Sequence, residues 1–444
     1  MHGKKSYFVC HIVLAAAVVF GLVVVATQSA QAQTFNVLYT FTGKKGGGSP
    51  VGQLIFDSSG NLYGAAELGN GVDTDCPNSY CGAVFELTPG TGGWTDIPLH
   101  DFDLFGQDAA NPGAGLAFDS HGQLYGTTID GGGDRNQVCF RGCGSVFQLV
   151  RDGQGKWKMH LIHKFTGGSD GGKPQASLVL DSSGNIYGTT TAGGDVTHCG
   201  EGEGCGVVFE LMPGSGGRWT EKVLYSFSNG TVAGGPDGGV TFNKSGDLYV
   251  TSFGGGAYLF GAVVQLTRDS HGRWNPHVLH SFTGGEDGAN PWGNLVLDSE
   301  GSLYGATASG GDRKVCTGLG CGVVFKLSPS GNGQWKEQVL HVFTGGADGA
   351  SPHSLTLDAA GSLYSTTYSG GHTTCQGPPL GCGVVFKLTR NSDGTWTDTV
   401  LHSFTGADGA WPGGGLTLDS KGGLYGSTFG GGTYDWGVFF QLTQ

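Results

Sequence analysis

Short apolar runs separated by glycine-rich turns extend along almost the whole chain, and they recur with a fixed period. A Leu-Tyr-Gly element, or a close variant of it, begins at Leu62, Leu124, Ile186, Leu248, Leu303, Leu363 and Leu424, which gives intervals of 62, 62, 62, 55, 60 and 61 residues. A fixed period of this size is typical of repeat architectures. The pattern therefore predicts seven structural units that follow one another without linkers.

Each unit contains four runs that we predict to be β-strands. In the fifth unit they cover residues 294–298, 302–307, 322–327 and 335–343, and a tight Ser-Glu-Gly turn joins the first two. Short apolar runs with alternating residues and such a turn are hairpin signals. No helical period of 3.6 residues follows residue 32. Four antiparallel strands repeated seven times predict an all-β fold, a seven-bladed β-propeller.

The two ends of the repeated region complement each other. Residues 36–41 repeat the fourth-strand pattern, with no first three strands before them, and the last unit stops after its third run at 437–442. We predict that residues 36–41 complete the last blade, so that the ring closes with no unpaired strand edge. An open solenoid is the alternative, and it would need capping units.

The first 32 residues have the pattern of a signal peptide. Lys4 and Lys5 precede an uncharged apolar stretch at 12–26, and Ala30-Gln31-Ala32 is a small-x-small cleavage motif. We expect cleavage after Ala32, which leaves residues 33–444 as the propeller; an uncleaved membrane anchor is the alternative. No other segment is long enough to span a membrane, so a secreted chain, extracellular or periplasmic, is expected.

Composition and charge narrow the class of protein. Glycine is extreme at 88 residues, yet 38% hydrophobic and 11% aromatic residues exclude a disordered chain. Loss of Lys4 and Lys5 would change the formal charge from −13 to −15, which argues against nucleic acid as a partner. We expect a monomer.

Ten of the eleven cysteines form five close pairs in one loop of the repeat, and only Cys10 lies in the signal segment. The pairs are Cys76/Cys81, Cys139/Cys143, Cys199/Cys205, Cys316/Cys321 and Cys375/Cys382. No unit carries a single member, which is what local disulfides require, and export permits them. Each would stabilise the fold by about 2 kcal/mol because its closed loop is short. Zinc binding is the alternative, but these loops carry no constant histidine.

The repeated motifs resemble a known family. Leu-Tyr-Gly-Thr-Thr, Gly-Val-Val-Phe-x-Leu and Val-Leu-His-x-Phe-Thr-Gly together look like the GloVer tandem repeat of exported bacterial proteins, whose members often carry one of several C-terminal surface anchors. That family has no settled biochemical role. The Asp-x-x-Gly-Asn-Leu-Tyr hairpin also resembles turns of NHL-type and streptogramin-lyase-type propellers, and this second likeness concerns the fold alone.

Residues shared by the units are expected to serve structure, because a ring needs the same contacts seven times. This applies to the aspartates that open each first hairpin, to the fourth-strand His or Tyr, and to the Trp that begins most fourth strands. No His-Glu-x-x-His or P-loop motif is present. We therefore assign catalysis to no residue.

A set of loop carboxylates leaves metal binding open. They lie before the proline of the crossover loop between blades, and we expect that loop to be near one mouth of the central channel. They are Asp108, Asp170, Asp287, Asp348 and Asp408. Turn capping is the favoured interpretation, with Ca²⁺ binding as a weaker alternative and no other cofactor expected.

Aromatic residues that break the repeat are the candidate ligand-binding residues. The two loops without cysteine carry aromatics instead, and two tryptophans lie in crossover loops. The candidates are Trp292, Trp411, Tyr258, Phe260, Tyr434 and Trp436. Exposed rings on a weakly charged surface suit stacking on sugars or contact with a protein. The alternative is that the loop aromatics fill the space of an absent disulfide.

These observations favour a binding module for an extracellular glycan or a surface protein over two alternatives. One alternative is an extracellular polysaccharide lyase or hydrolase, and the other is a passive structural or adhesive component. An enzyme should bring repeat-breaking His, Glu, Arg or Tyr residues from different blades to one mouth of the channel. A binding module should show aromatics there without paired acid–base groups.

Overall fold

The chain forms seven small antiparallel sheets arranged in a ring, a seven-bladed β-propeller. The structure is a computed structural model that describes residues 33–44, 46–69, 81–91, 93–104, 108–133, 139–195, 199, 204–228, 234–375 and 381–443. The signal peptide expected at 1–32 lies outside the described residues. Within those ranges the helical elements are single 3₁₀ turns at Ser215–Gly217 and Cys316–Gly318. None of the described helices is long and apolar enough to span a bilayer.

Each blade has its first strand at the channel and its fourth strand at the periphery. Blade 1 contains β2 (Gly48–Phe56), β3 (Leu62–Leu68), β4 (Ala83–Gly90) and β5 (Gly93–Asp101). Blade 2 contains β6 (Ala109–Pro112), β7 (Ala117–Phe118), β8 (Leu124–Gly131), β9 (Ser145–Arg151) and β10 (Trp157–Lys164). Blade 3 contains β11 (Val179–Leu180), β12 (Ile186–Thr190), β13 (Val207–Pro213) and β14 (Trp219–Ser226).

The remaining blades follow the same order. Blade 4 contains β15 (Thr241–Phe242), β16 (Leu248–Ser252), β17 (Ala262–Arg268) and β18 (Trp274–Ser281). Blade 5 contains β19 (Ala289–Pro291), β20 (Val296–Leu297), β21 (Leu303–Ser309), β22 (Val323–Gly331) and β23 (Gln334–Val342). Blade 6 contains β24 (Ala350–Pro352), β25 (Thr356–Leu357), β26 (Leu363–Ser369), β27 (Val384–Arg390) and β28 (Trp396–Ser403). Blade 7 contains β29 (Thr417–Leu418), β30 (Leu424–Thr428), β31 (Val438–Thr443) and, from the other end of the chain, β1 (Thr34–Thr40).

The predicted ring closure is confirmed. β1 pairs antiparallel with β31, in a register that places Asn36 opposite Gln441 and Val37 opposite Phe440. The side chain of Phe35 stacks on His402 of blade 6 with ring centroids 3.7 Å apart. The first described strand thus fills the outer position of blade 7 and covers the edge that β31 would otherwise expose.

The inner strand differs from the prediction in one respect. In blade 5 the sequence predicts one strand at 294–298, but the structure has β19 before Trp292 and β20 at Val296–Leu297, both paired with β21. Proline ends the first piece because it cannot donate a ladder hydrogen bond. The residue before that proline has a positive φ, between 53° and 67°, in every blade: Ser49, Asn111, Lys173, Gly235, Asn290, Ser351 and Trp411. The few residues between the two pieces lie at the axis.

The aspartate of the first hairpin serves the turn. In blade 1 the Asp57 Oδ1 atom accepts hydrogen bonds from the N–H groups of Ser59 (2.8 Å) and Asn61 (2.9 Å), and Tyr63 donates its hydroxyl to Oδ2 (3.1 Å). The Tyr63 ring then packs edge-to-face on Trp157 of blade 2, with centroids 6.3 Å apart. The recurrent Asp, Tyr and Trp residues therefore fix the hairpin and join neighbouring blades.

The glycine of Leu-Tyr-Gly leaves space that is filled by side chains from the neighbouring strands of the same blade. In blade 3 a Cβ atom on Gly188 would lie 2.6 Å from Cζ of Phe209 and 2.8 Å from Cδ2 of Leu178, so the ring and the leucine occupy the space of a side chain. Blade 4 has valine at all three corresponding positions, Val240, Val250 and Val264, and these pack in one core cluster. The exchange of Gly-Leu-Phe for three valines keeps the space filled.

The two threonines that follow Leu-Tyr-Gly connect the blades near the axis. Thr189 Oγ1 donates to the carbonyl oxygen of Gly238 in blade 4 (3.0 Å), and Thr251 Oγ1 donates to that of Gly293 in blade 5 (3.1 Å). The second threonine clamps the loop after it, since Thr190 Oγ1 accepts from the Val207 N–H (3.1 Å) and donates to the Ala192 oxygen (2.9 Å). These buried hydrogen bonds hold the inner strands in a fixed arrangement around the channel.

Candidate functional site

A cavity of about 320 Å³ lies on the propeller axis, at the face that carries the crossover loops. Its wall includes the residue that follows the crossover proline in all seven blades, together with four residues from the ends of second strands. Farther along the axis, small residues bring the inner strands close together; a Cβ atom on Gly414 would overlap the carbonyl oxygen of Gly52. We call this space the axial cavity.

The repeat is broken at the axial cavity more than anywhere else near the axis. The position after the crossover proline is Val51, Gly113, Gln175, Asp237, Trp292, His353 and Gly413 in blades 1 to 7. The position after the paired threonines, or their equivalents, is Glu67, Ile129, Thr191, Phe253, Ala308, Tyr368 and Phe429. The prolines, the Leu-Tyr pairs and the hairpin aspartates around them hardly vary. The backbone thus repeats seven times around the axis, but the side chains that line the cavity differ from blade to blade.

Two aromatic residues from neighbouring blades form one side of the cavity. The rings of Trp292 and His353 have centroids 4.3 Å apart and are inclined by 50°. His353 is 4% exposed, and its Nε2 atom has no hydrogen-bond partner among the described residues. Burial lowers the pKa of His353 to about 4, so the imidazole is neutral at neutral pH. A buried polar atom without a partner is costly, so a small shift that exposed Nε2 to a ligand in the cavity would be favourable.

Blade 6 is one residue shorter than the other blades at this point. Five residues lie between Pro352 and the hairpin aspartate Asp358, whereas the other blades have six between the proline and the hairpin Asp or Asn. Ser365, which replaces the glycine of Leu-Tyr-Gly, donates its hydroxyl to the backbone oxygens of His353 (3.1 Å) and Ser354 (2.9 Å). The shorter segment and this serine together fix the backbone that carries His353.

Two half-buried carboxyl groups line the same cavity. Burial raises the pKa of Glu67 to about 7, and the negative charge of Asp130 adds to that effect. Burial also raises the pKa of Asp237 to about 6. Neither carboxyl has a hydrogen bond or an ion pair with another described residue, whereas Asp130 lies 3.9 Å from Arg141. Perturbed carboxyl groups without partners in a cleft are typical of functional sites.

A tyrosine completes the ionisable set at the cavity. Burial raises the pKa of Tyr368, and the negative charge of Glu67 contributes. The ring of Tyr368 lies 6.1 Å from that of His353, centroid to centroid. Glu67, Asp237, His353 and Tyr368 come from blades 1, 4, 6 and 6, and all break the repeat. The arrangement can donate and accept hydrogen bonds around a ligand, and it can exchange protons with one.

Of the six aromatic candidates from the sequence, Trp292 lines the axial cavity. Phe260 packs over Gly284, whose Cβ would lie 2.7 Å from the ring, and Trp436 packs over Gly43 in the corresponding place. In blade 5 the same place holds a disulfide, since a Cβ on Gly345 would lie 2.6 Å from Cys316 Sγ. Phe260 and Trp436 therefore occupy the space that a disulfide fills elsewhere.

The other three candidates lie apart from the cavity wall. Tyr258 is 56% exposed and Tyr434 is 57% exposed, both in loops of the crossover face. Trp411 precedes its proline instead of following it, and it packs with Cys375 and Leu401 against the core of blade 7. The six candidates are therefore spread over the loops and do not form one cluster.

Four of the five cysteine pairs are disulfide bonds in the structure. They are Cys139–Cys143, Cys199–Cys205, Cys316–Cys321 and Cys375–Cys382. Cys81 is also disulfide-bonded, and Cys76 lies outside the described residues. The bonds close short loops next to the crossover loops of the same face.

The loop carboxylates lie beside the outer strands and do not form the ring around the channel mouth that we expected. In blade 4 the Asp287 carboxylate accepts from the Thr283 N–H (2.9 Å) and lies 3.1 Å from His280 Nε2, on the fourth strand of its own blade. Asp108, Asp348 and Asp408 pair in the same way with His100, His341 and His402, and Asp170 accepts from Thr166. Each carboxylate contacts a histidine of its own outer strand or a threonine of the turn after that strand, so the five groups are distributed around the periphery.

We call the contact between the outer strands of two neighbouring blades a seam. In some seams a further acidic residue lies near the Asp–His pair. Glu337 of blade 5 faces Asp287 and His280 of blade 4; burial raises its pKa to about 7, with a contribution from the Asp287 charge. Within the described ranges, one seam brings three potential metal-ligand atoms within 4.8 Å of one another, from His163, Asp170 and Glu221. The corresponding residues in other seams include Met159 and Phe35, so not every seam has this further acid.

Glu67, Asp237, Tyr368 and Gly413 were not predicted from the sequence, and His353, although it breaks the repeat, was given no role. A signal was present: when the units are aligned on the crossover proline, the next position carries six residue types in seven blades. The sequence did not reveal that this position points to the axis, because the predicted inner strand began after it, at residue 294 in blade 5, and the position was assigned to the crossover loop.

Sequence comparison places this architecture in a family. The profile of the Gloeobacter/Verrucomicrobia repeat matches residues 16–200 and 195–375, which is most of the chain. The chain belongs to the Gloeobacter/Verrucomicrobia repeat family. The resemblance inferred from the Leu-Tyr-Gly and Gly-Val-Val-Phe motifs is thereby confirmed. No curated protein sequence matches this chain.

Solved structures resemble this member of the repeat family in fold. Hydrazine synthase of Kuenenia stuttgartiensis is 13% identical with a TM-score of 0.51, and the match covers 86% of this chain and 93% of that one. The extracellular domain of a hybrid two-component system from B. thetaiotaomicron is 13% identical with a TM-score of 0.49; the match covers 91% of this chain but 41% of that one. A gluconolactonase of Xanthomonas campestris is 14% identical with a TM-score of 0.40, covering 75% of this chain and 86% of that one. At such identities the likeness concerns the fold alone.

Proposed function

We propose that this repeat protein is an extracellular binding module that holds a sugar ring of a glycan in its axial cavity. One observation carries the proposal: the repeat is broken at the residues that line the cavity, while the scaffold around them is kept. A single ligand on a sevenfold axis cannot make seven equal contacts, so a binding site there needs different groups from different blades. Scaffold packing alone would not require this variety.

The wall of the cavity has the composition of a sugar site. Trp292 offers an aromatic surface, and His353, Tyr368 and Gln175 offer polar groups around it. Aromatic rings stack on the apolar faces of sugars, and polar groups around the ring select its hydroxyls. The volume of about 320 Å³ admits one or two sugar rings.

The disulfides support the extracellular location. Four of them lie in loops that a reducing cytosol would not keep oxidised. The signal peptide expected at residues 1–32 would provide the route. A protein partner on the cell surface is the other ligand that we consider, because Tyr258 and Tyr434 are exposed on the face where the cavity opens.

The test is a glycan array probed with the wild-type protein and two single variants. Trp292→Ala removes the aromatic wall, and Tyr434→Ala removes an exposed aromatic residue outside the cavity. We expect binding by the wild type, loss of that binding with Trp292→Ala, and unchanged binding with Tyr434→Ala. Absence of glycan binding by the wild type would overturn the proposal and favour a protein ligand or a passive structural or adhesive role. Equal binding by Trp292→Ala would overturn the axial cavity as the glycan site.

An extracellular glycoside hydrolase is the second candidate, and one observation favours it. Glu67, Asp237, His353 and Tyr368 break the repeat and converge on one cavity, and the pKa of Glu67, about 7, suits a general acid. A lyase acting on uronates fits less well, because acidic groups line the cavity. The test is release of reducing ends from the glycans that bind, with Glu67→Gln as the inactive control. Binding without turnover would leave the binding module.

Calcium binding is a weaker proposal that concerns the periphery. Its support is the seam at His163, Asp170 and Glu221, where two carboxylates and an imidazole meet. Calorimetric titration with Ca²⁺ should show binding that Asp170→Asn removes, and an absence of heat with the wild type would exclude the site.

A further inference from the structure

The charges at the axial cavity are of one sign. Glu67 and Asp237 are its two acidic residues, and none of the described residues in its wall is Lys or Arg. The two carboxyls come from blades 1 and 4, so they lie on different sides of the axis. The cations that are close, Arg141 and Lys173, interact with Asp130 outside the wall. A ligand therefore meets two acids that have no counter-charge from the protein.

These carboxyls are unlike the recurrent aspartates of the hairpins and of the crossover loops. The hairpin aspartates accept two backbone N–H groups and a tyrosine hydroxyl, as Asp57 does, and each loop aspartate accepts from a threonine or pairs with a histidine, or does both as Asp287 does. Glu67 and Asp237 have no such donors among the described residues. Leaving two half-buried acids without partners is costly, and a ligand that supplies positive charge or donors would remove that cost.

The aromatic side of the cavity suits the same kind of ligand. Tryptophan is the aromatic side chain that attracts cations most strongly, and Trp292 lines the cavity. The ring of His353, which is buried and neutral, lies next to the Trp292 ring and extends this side of the wall. A second, independent observation points to an occupant here, because His353 Nε2 is buried, lines the cavity and has no partner among the described residues. An aromatic face combined with unpaired carboxylates is the chemistry of ammonium recognition.

We propose that the axial cavity binds its ligand through a protonated amine, so that the sugar it takes is an amino sugar with a free amino group. This inference rests on the proposed function for the sugar part and on the cavity wall for the amine part. The ammonium lies over the Trp292 ring and is attracted by Glu67 and Asp237 from different sides of the axis, and the buried imidazole of His353 hydrogen-bonds a neutral group of the same ligand. A Ca²⁺ ion fits less well, because it needs six to eight oxygen ligands and this side of the wall is aromatic.

The experiment compares matched ligands by isothermal titration calorimetry. The probes are fully deacetylated chitosan oligosaccharides, N-acetylated chitin oligosaccharides of the same length, benzyltrimethylammonium and Ca²⁺. We expect the deacetylated chain to bind about tenfold more tightly than the acetylated one or better, and benzyltrimethylammonium to compete with it. Equal or tighter binding of the acetylated chain would overturn the proposed recognition of an amine, but the protein would still be a glycan-binding module. If benzyltrimethylammonium bound and neither oligosaccharide did, recognition of an ammonium group would be supported and the proposed glycan binding would be overturned.

Variants separate the charge from the fold. Glu67→Gln and Asp237→Asn should each weaken binding of the deacetylated chain about tenfold while leaving the weaker acetylated chain unchanged. Glu300→Gln, an exposed glutamate of a hairpin turn, is the control and should change neither. Both cavity variants should stay folded, because burial already favours the neutral acids. Full affinity of both cavity variants, or Ca²⁺ binding that depends on Glu67 without any amine binding, would overturn the proposal.

Discussion

Gly413 and Phe429 lie on either side of an open part of the axial cavity. A Cβ atom on Gly413 would meet nothing closer than Phe429 Cβ, at 3.9 Å, whereas one on Gly414 would overlap the Gly52 carbonyl oxygen. Adjacent glycines of one blade thus have different roles: Gly413 keeps the cavity open, and Gly414 lets the inner strands approach each other. This difference separates the site from the scaffold in an experiment.

Gly413→Val should block the cavity without disturbing the fold. The valine side chain has room only in the space that the ligand would occupy, so glycan affinity should fall about tenfold or more while the melting temperature stays within about 1 °C of the wild type. Gly414→Ala is the matched variant, and it should lower the melting temperature by several degrees. Array binding and thermal unfolding check both. Unchanged affinity in folded Gly413→Val would place the ligand elsewhere.

Binding of a cation to the axial cavity should strengthen as the pH rises from 5 to 8. Burial raises the pKa of Glu67 to about 7 and of Asp237 to about 6, so both are mainly neutral at pH 5 and ionised at pH 8. The groups near Glu67 are Asp130 and Tyr368, and His353 stays neutral over this range. A cation prefers the ionised carboxyls, so its binding releases protons.

A permanently charged ligand such as benzyltrimethylammonium removes the titration of the ligand from this measurement. Its affinity should rise about tenfold between pH 5 and pH 8, and Glu67→Gln should remove the part of the rise near pH 7. Calorimetry at four pH values measures this, and buffers of different ionisation enthalpy count the protons. An affinity that falls or stays level as the pH rises would contradict the assignment of these carboxyls to the site.

The repeated hydrophobic pattern was enough to predict most of the fold, and there is a physical reason for this. Each blade must bury the same apolar faces, so the alternation around Leu303 or Val323 recurs in every unit and defines four strands. Ring closure was predictable for the same reason, since the pattern at 36–41 could pair with one partner only. The first piece of the inner strand was not predicted, although the proline that ends it is visible in the sequence, because a piece of three or four residues is too short to show an alternating pattern.

The candidate site was predictable in part. Trp292 was identified because it breaks the repeat, but Trp411 broke it equally and packs against the core of blade 7. The two differ in their place relative to the proline: Trp292 follows Pro291 and faces the cavity, whereas Trp411 precedes Pro412 with φ of 53°. Glu67 and Asp237 gave no signal as a pair, because they are 170 residues apart in the sequence.

Replacement of Glu337 by glutamine should stabilise the protein at pH 8 but not at pH 4.5. Burial, with a contribution from Asp287, raises the pKa of Glu337 to about 7, and its Oε1 atom is buried without a partner among the described residues. An acid whose pKa is raised in the folded state favours folding at low pH, and that stabilisation is lost as the pH rises from about 4.3, the unfolded pKa, through 7. Glutamine cannot ionise, so it avoids the loss.

The expected change in melting temperature for Glu337→Gln is on the order of +1 °C at pH 8, since partial exposure screens the charge. Glu300→Gln, at an exposed turn, should change the melting temperature at neither pH. Scanning calorimetry at the two pH values measures both variants. A gain of equal size at pH 4.5 would mean that packing, not charge, accounts for the effect.

In the core of blade 3, Gly188→Val should be destabilising alone but less so when Phe209→Val and Leu178→Val are added. Gly188→Val alone should cost about 1–3 kcal/mol, because its Cβ would lie 2.6 Å from Phe209 and 2.8 Å from Leu178. Adding Phe209→Val and Leu178→Val reproduces the valine triplet of blade 4, so the loss in the triple variant should be smaller than the sum of the three single losses by about 1 kcal/mol or more. Denaturant unfolding of the four variants measures this coupling. Strictly additive losses would show that blade 4 tolerates its valines for a reason other than the mutual fit of these three side chains.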